Sequence, residues 1–170
     1  DETYSATLNL GHKTDTGVVA LTFGHIQSEG FSASSADTEK DGFEQKTVSF
    51  FADFELTDGF SVGGSVFYRD SEVDIDPAFG PVNAKNFTEE LAYQVFTEVV
   101  TGPITHRLSY SNFDTVRRDP TGFTTRFDGE REQISYLGSA ALGAQATLNF
   151  GLDRTEESFA AGANAGSAET

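Results

Sequence analysis

Carboxylates are the most abundant chemistry on this chain. "SEGFSASSADTEKDGFEQK", residues 28–46, carries Asp37, Glu39, Asp41 and Glu44, and "SEVDID", residues 71–76, carries Glu72, Asp74 and Asp76. Clustered carboxylates on loops can hold Ca²⁺, which takes six to eight oxygen ligands. The same composition also suits a solvated acidic loop, or loops that meet divalent cations bridging the phosphates of lipopolysaccharide. His12, His25 and His106 are scattered, and no Ser/His/Asp spacing accompanies them. General-base duty needs partners in geometric reach, so structural histidines and no catalytic residues are expected. With no Cys, the chain has no disulfide frame, thiolate zinc site or cysteine nucleophile. The glycines of "SVGGSVF" lack the Lys and the strand-to-helix setting of a phosphate loop. Gly63 and Gly64 fit strand curvature or close packing instead.

The elements that position these groups are legible in composition and period. The formal net charge is -16, from 27 acidic against 11 basic residues. That balance excludes nucleic acid, whose phosphates need a basic face, and docking on an anionic membrane surface. No apolar run approaches the roughly 18 residues of a transmembrane helix. The opening "DETYSATLNLGH" has no basic region followed by an apolar stretch, so a leader is absent, removed or outside this segment. Alternation with period two recurs along the chain, near 3–12, 18–27, 47–56, 60–72, 90–100, 105–113, 132–142 and 146–156. About eight strands and no helix are therefore expected.

The connections alternate in length. "KTDTG", "TDG", "TGP" and "GAQ" are tight, with the Gly, Asp and Pro chemistry of hairpin turns. Between them stand the long segment after the second strand, "VDIDPAFGPVNAKNFTE" and "DTVRRDPTGFTTRFDGER". A soluble sandwich has no reason to keep that rhythm. An antiparallel up-and-down transmembrane β-barrel does, with short periplasmic turns and long extracellular loops. Parity agrees. Val48, Phe50, Ala52, Phe54 and Leu56 alternate with Thr47, Ser49, Phe51, Asp53 and Glu55, and Phe60 to Tyr68 alternate with Ser61 to Arg69. The apolar parity would face lipid. The other parity would face a wet or filled lumen, where Glu55, Arg69, Glu98 and Arg107 would form an inner-wall charge lattice.

Tyr4, Tyr68, Tyr93, Tyr110 and Tyr136 all sit on the apolar parity. Each lies in the half of its strand nearer a long connection, or nearer the outer end for Tyr4. Tyrosine favours an interface where its ring is apolar-bathed and its hydroxyl wet, so these five are expected to form an outer membrane girdle. With eight strands and a short first link, both chain ends would lie on the outer side. Residues 1–170 are then expected to be a partial barrel domain, consecutive strands of a larger barrel with open edges.

"GHIQSEGFSA" through "EKDGFEQKTVSFFADFELTDGFSVGGSVFYRDSEVDID", residues 24–76, resembles the early barrel region of TonB-dependent outer-membrane receptors, the cobalamin-receptor branch in particular. The shared features are a strand ending in a Ser-Glu-Gly step, a loop closing on Asp-Gly-Phe, a Thr-Asp turn and an Arg-Asp-Ser step. "LSYSNFDTVRRD" and "FDGEREQISYLGSAALGAQATLNFGLDRTEE" continue the likeness over nearly the whole segment. The resemblance implies a Gram-negative outer-membrane location and uptake of a large scarce nutrient, cobalamin-like or a metal chelate or siderophore. It implies energy from a TonB complex acting on a plug domain, which, with the remaining strands, is not in this sequence. It also implies outer-membrane lipid and lipopolysaccharide as surroundings. Calcium ligands would be Glu39, Asp41 and one of Asp74 or Asp76. The alternative is a structural or adhesion-type outer-membrane barrel without active transport. A barrel hydrolase lacks a visible nucleophile constellation, so the chain is not expected to be an enzyme.

Overall fold

The computed structural model describes residues 2–31, 40–75 and 84–170. Its strands are β1 (Thr3–Lys13), β2 (Gly17–Phe31), β3 (Asp41–Thr57), β4 (Phe60–Ile75), β5 (Ala84–Thr101), β6 (Ile104–Arg118), β7 (Arg126–Ala141), β8 (Thr147–Ala161) and β9 (Asn164–Glu169). They form one antiparallel sheet in sequence order, each strand paired with its chain neighbours, and among the described residues there is no helix. Up-and-down order follows from the links: a tight turn returns the chain beside the strand it has just left. The first turn is closed by the Thr14 N–H donating to the Gly17 carbonyl at 2.8 Å.

Two features differ from the sequence expectation. There are nine strands, not eight, because "AAGANAGSAE" folds back on β8 as a tight hairpin. Gly162 turns it with a φ of 61°, a left-handed conformation that a side chain resists. Its small residues show no apolar alternation, so β9 carried no period-two signal. As a result the last strand turns back from the far end of β8, and Thr170 exchanges backbone hydrogen bonds with Thr155, part-way down β8. The second difference is length. β2 to β8 have 15 to 18 residues, several beyond where alternation stops. In β2 to β7 the extra residues lie at the long-link ends, where the ladder continues although charge now interrupts the apolar parity, as at Asp70, Glu72 and Asp74 of β4.

The sheet is a single layer. Among the described residues the buried apolar side chains are Ala84, Phe96 and Ala140, and none is both large and fully enclosed. Phe50 is 43% exposed, Leu108 51% and Leu148 51%. No second layer of described protein covers either face. Packing is therefore lateral, between neighbouring strands. Phe54, Phe96, Phe150 and Phe159 stand opposite Gly17, Gly63, Gly138 and Gly166, and each ring folds over its glycine, filling the place a Cβ would take.

Candidate functional site

The register fixes which side chains share a face. Val48 pairs with Phe23 and Tyr68, Tyr68 with Leu91, and Val95 with Tyr110. Tyr110 pairs in turn with Ile134, and Tyr136 with both Leu108 and Leu152. Carrying this across the sheet puts all five tyrosines on one face, together with Leu8, Leu21, Phe50, Val62, Leu108 and Phe150.

The tyrosines also fall on a line. Tyr68 is in register with Leu91, and Tyr93 lies two residues nearer the tight-turn end. Tyr93 is in register with Asn112, and Tyr110 lies two residues further the same way; Tyr110 is in register with Ile134, and Tyr136 two residues further again. At β1, Tyr4 aligns through Gln27 and Glu44 with Glu72, so it sits above the level of Tyr68 in the same sense. Two residues are about 6.6 Å along a strand, against about 4.8 Å between strands, which inclines the line by roughly 50° to the hydrogen-bonding direction. Strands of membrane barrels tilt by about 35–45°. In such a tilted sheet this diagonal runs within about 10–20° of level.

Charge begins where the line ends. On the tyrosine face, Asp70 follows Tyr68, Glu89 lies above Leu91, Glu132 above Ile134 and Arg154 above Leu152. Below the line this face carries no Asp, Glu, Lys or Arg among the described residues. The hydroxyls of Tyr4 and Tyr110 reach upward: Tyr4 donates to Glu2, and Tyr110 donates to Glu132 Oε1 at 2.6 Å. Tyr136 is held from below by His106, whose Nδ1 lies 2.8 Å from the Tyr136 hydroxyl while Nε2 meets Thr101 Oγ1 at 2.7 Å. Both ring nitrogens of His106 are thereby engaged. His25 lies 3.1 Å from Glu44, and His12 is exposed low on β1, so the three histidines stand on different strands and assemble no common site.

Above the line is an apron of ion pairs. Lys85 bridges Glu72 and Asp74 across β4 and β5, Arg118 meets Glu89 at 2.9 Å, and Lys40 meets Glu29. Arg126 binds Asp128 at 2.6 Å and holds its carboxyl below the usual range. Lys46, with His25 second, does the same to Glu44. These pairs are exposed, so each contributes little to stability.

The opposite face carries Ser, Thr, Asn and Gly, together with paired charges. Arg69 meets Glu90, and Arg107 meets Glu98 at 3.6 Å with its guanidinium 3.8 Å above the Phe96 ring. Arg69 and Arg107 thus form two separate cross-strand pairs, with Glu90 and Glu98, and Glu55 accepts instead from the Gly59 N–H, so the four do not join into one lattice. This face is less polar than the parity suggested, for it also presents Phe51, Phe67, Phe96 and Phe113.

Of the candidate calcium ligands, Glu39 and Asp76 lie outside the described residues. Asp74 accepts from the Gly42 N–H at 3.2 Å and has Lys85 3.5 Å from its other oxygen. Asp41 opens β3 two residues before Phe43. Among the described residues no three carboxylate or imidazole groups converge at cation-binding distance. No protein-family model matches the chain, and no curated protein matches it in sequence.

Proposed function

We propose that this chain forms part of the wall of an outer-membrane β-barrel, with the tyrosine face toward lipid and the ion-pair apron outside the bilayer. One observation carries the reading: no described residue covers the apolar half of a single-layer sheet, and a diagonal of tyrosines bounds it at an inclination close to that of a tilted barrel strand. A large uncovered apolar face in water marks a surface made for contact. On β4 and β5 it is about nine residues tall, Phe60 to Tyr68 and Leu91 to Val99, which suits a spanning strand of roughly 9–11 residues, and it narrows to Ile104–Tyr110 on β6 and Tyr136–Ala140 on β7. In a bilayer the unpaired edges of β1 and of residues 147–154 must be joined by further antiparallel strands or by each other.

The chain has no Trp, so a single engineered one reports without background. Phe50 and Phe51 are neighbours on opposite faces. In bilayers containing brominated lipid, Trp fluorescence in Phe50→Trp is expected to be strongly quenched and that in Phe51→Trp little affected. Equal quenching at the two positions would sink the assignment.

Within that reading, the sequence likeness to TonB-dependent receptors supports uptake of a large scarce nutrient, cobalamin-like or a metal chelate, through loops at the apron end. Calcium held by Glu39, Asp41 and one of Asp74 or Asp76 belongs to the same proposal, as do the plug and TonB partners. Cells lacking the protein are expected to lose growth on limiting cobalamin or chelated iron, with rescue when the gene is restored. Unchanged growth on both nutrients would leave a structural or adhesion-type barrel.

A further inference from the structure

On the tyrosine face, just above the tyrosine line, β6 and β7 bring four oxygen-bearing side chains together. Asn112 is in register with Glu132 and Asp114 with Glu130, so each strand contributes two neighbours of one face. Facing Cβ atoms in such pairs stand about 5 Å apart, and successive positions on one face about 6.6 Å. Like charges directly opposite each other, as at Asp114 and Glu130, destabilise a ladder unless something neutralises them. Elsewhere in the apron a Lys or Arg does so: Glu72, Glu89, Asp128 and Glu156 each meet one. Asp114, Glu130 and Glu132 have no cationic partner among the described residues.

Asn112 makes an independent demand at the same place. Its side chain belongs to a residue only 5% exposed. Its Nδ2 donates to Glu130 Oε1 at 3.3 Å, which seats the carboxamide among the glutamates, while its buried Oδ1 accepts from no described residue. A buried acceptor calls for a partner. Glu132 is held nearby by the Tyr110 hydroxyl, which donates to its Oε1 at 2.6 Å. Glu130 and Glu132 each use one carboxylate oxygen in these bonds and keep the other for a ligand. The place is thus rich in acceptors, short of donors and unneutralised.

We propose that Asn112, Glu130 and Glu132 bind a hard divalent cation, Ca²⁺ by preference, with Asp114 adding negative charge beside it. Carboxylate and carboxamide oxygens are the ligands Ca²⁺ takes, and its irregular coordination suits groups rising from one face of a sheet better than the strict octahedron of Mg²⁺. Two carboxylates and one amide suffice, so the site does not need three acidic groups to converge. It rests on the pairing of β6 with β7 and not on the membrane reading. It is also separate from Asp41 and Asp74, which stand on β3 and β4.

Tb³⁺ replaces Ca²⁺ at oxygen sites and emits when a nearby aromatic ring absorbs; with no Trp in the chain, tyrosine is the sensitiser. Titrated into the full chain, Tb³⁺ is expected to give saturable emission that Ca²⁺ displaces with a Kd on the order of 0.1–1 mM, a weak site as befits two carboxylate ligands. Glu130→Gln, at an exposed position, should weaken both ions about tenfold. Asn112→Leu should do the same, and Asn112→Asp, which keeps an oxygen and adds charge, should bind at least as tightly as the parent. If Asn112→Leu does not fold, Glu130→Gln decides. Asp74→Asn should leave the titration unchanged. Tyr110→Phe should dim the emission more than Tyr4→Phe, because the Tyr110 hydroxyl touches a ligand. Emission that does not saturate, a Glu130→Gln protein that binds as the parent does, or an equal loss in Asp74→Asn would each overturn the proposal. None of these outcomes bears on the quenching of Phe50→Trp, so the two readings fail separately.

Discussion

β4 contains two different surfaces within one strand. From Phe60 to Tyr68 its tyrosine face reads Phe, Val, Gly, Val, Tyr; from Asp70 to Asp74 the same face reads Asp, Glu, Asp. The backbone does not register the change. Phe60 pairs with Val99 at one end and Ile75 with Ala84 at the other, in one unbroken antiparallel ladder. Every neighbouring strand repeats the division, and the boundary slides toward the tight turns from β5 to β8 together with the tyrosines. The ladder thus supplies shape to both halves, and the side chains assign each half its solvent. The lower half offers methyl and phenyl groups that no protein covers. The upper half offers charges that water hydrates and that partly neutralise one another.

The sharpest way to break this comparison is to exchange the solvents by mutation. Leu108 and Val116 share the tyrosine face of β6, one below the line and one above it. On the proposed membrane reading Leu108→Arg places a guanidinium in hydrocarbon one face position below the girdle residue Tyr110, and is expected to cost about 1–3 kcal/mol, between the interface and midplane values. Val116→Arg joins an already charged surface and should change stability by no more than about 0.5 kcal/mol. Urea unfolding of both variants in lipid vesicles measures the difference. Two equal, small losses would mean that the lower half meets water.

A second contrast lies between ion pairs. The Glu90 side chain is 17% exposed, against 41% for Glu89, and each has an arginine partner across the sheet. Removing Arg69 leaves a half-buried carboxylate without its donor, so Arg69→Ala is expected to cost about 1–3 kcal/mol. Arg118→Ala, beside the more exposed Glu89, should cost about 0–1 kcal/mol. Adding Glu90→Gln to Arg69→Ala should recover part of the loss, whereas Glu89→Gln should recover nothing. The double-mutant cycle distinguishes a true pair from two independent side effects.

How far the sequence reveals this molecule follows the same division. Below the line, apolar alternation between tight turns was enough to place the strands near 47–56 and 60–72 and to assign Phe50 and Phe51 to opposite faces. Above it, "DSEVDI" and "AKNFTEE" put charge on the tyrosine face, and the apolar Val73 and Ile75 move to the other face, so the alternation no longer marks the full strands that the ladder and cross-strand pairs sustain. β9 was invisible for a related reason: Ala, Gly and Ser carry no face preference, and only Gly162 marks the hairpin. The tyrosine parity was legible strand by strand. The diagonal was not, because a stagger of two residues is a property of register, and register between strands joined by long loops cannot be counted along the chain.

The boundary itself can be sharpened at Tyr110, whose ring belongs to the lower half and whose hydroxyl donates to a carboxylate of the upper. Tyr110→Phe keeps the ring and gives up that bond, with an expected cost of about 1 kcal/mol. Tyr136→Phe makes the complementary test, because its hydroxyl meets His106 below the line and not an apron carboxylate. If the belt anchors the sheet at an interface, Tyr110→Phe should also let a nearby lipid-depth probe sink toward the hydrocarbon, and Tyr136→Phe should not.

The smallest effect expected is in the pH response of the two halves. Asp128 beside Arg126, Glu44 beside Lys46 and Glu29 beside Lys40 are all held below the ordinary carboxylate range by hydrogen bonds from their cationic partners. A carboxyl whose folded pKa is depressed lends stability that is fully present above its unfolded value and disappears as pH falls through the folded one. Acidification below the ordinary carboxylate range should therefore loosen the apron ladders, read as faster amide exchange at the loop ends of β2, β3 and β7. Among the described residues the tyrosine face below the line contains no carboxylate, so amides around Leu8, Leu21 and Phe50, whose other face carries Asn9, Thr22 and Ser49, should keep their protection over the same range. High salt, which screens exposed pairs, should reduce the pH sensitivity of the apron and leave the lower half as it was. A lower half that exchanged in step with the apron would mean that the two share one solvent, and the tyrosine line would then divide nothing.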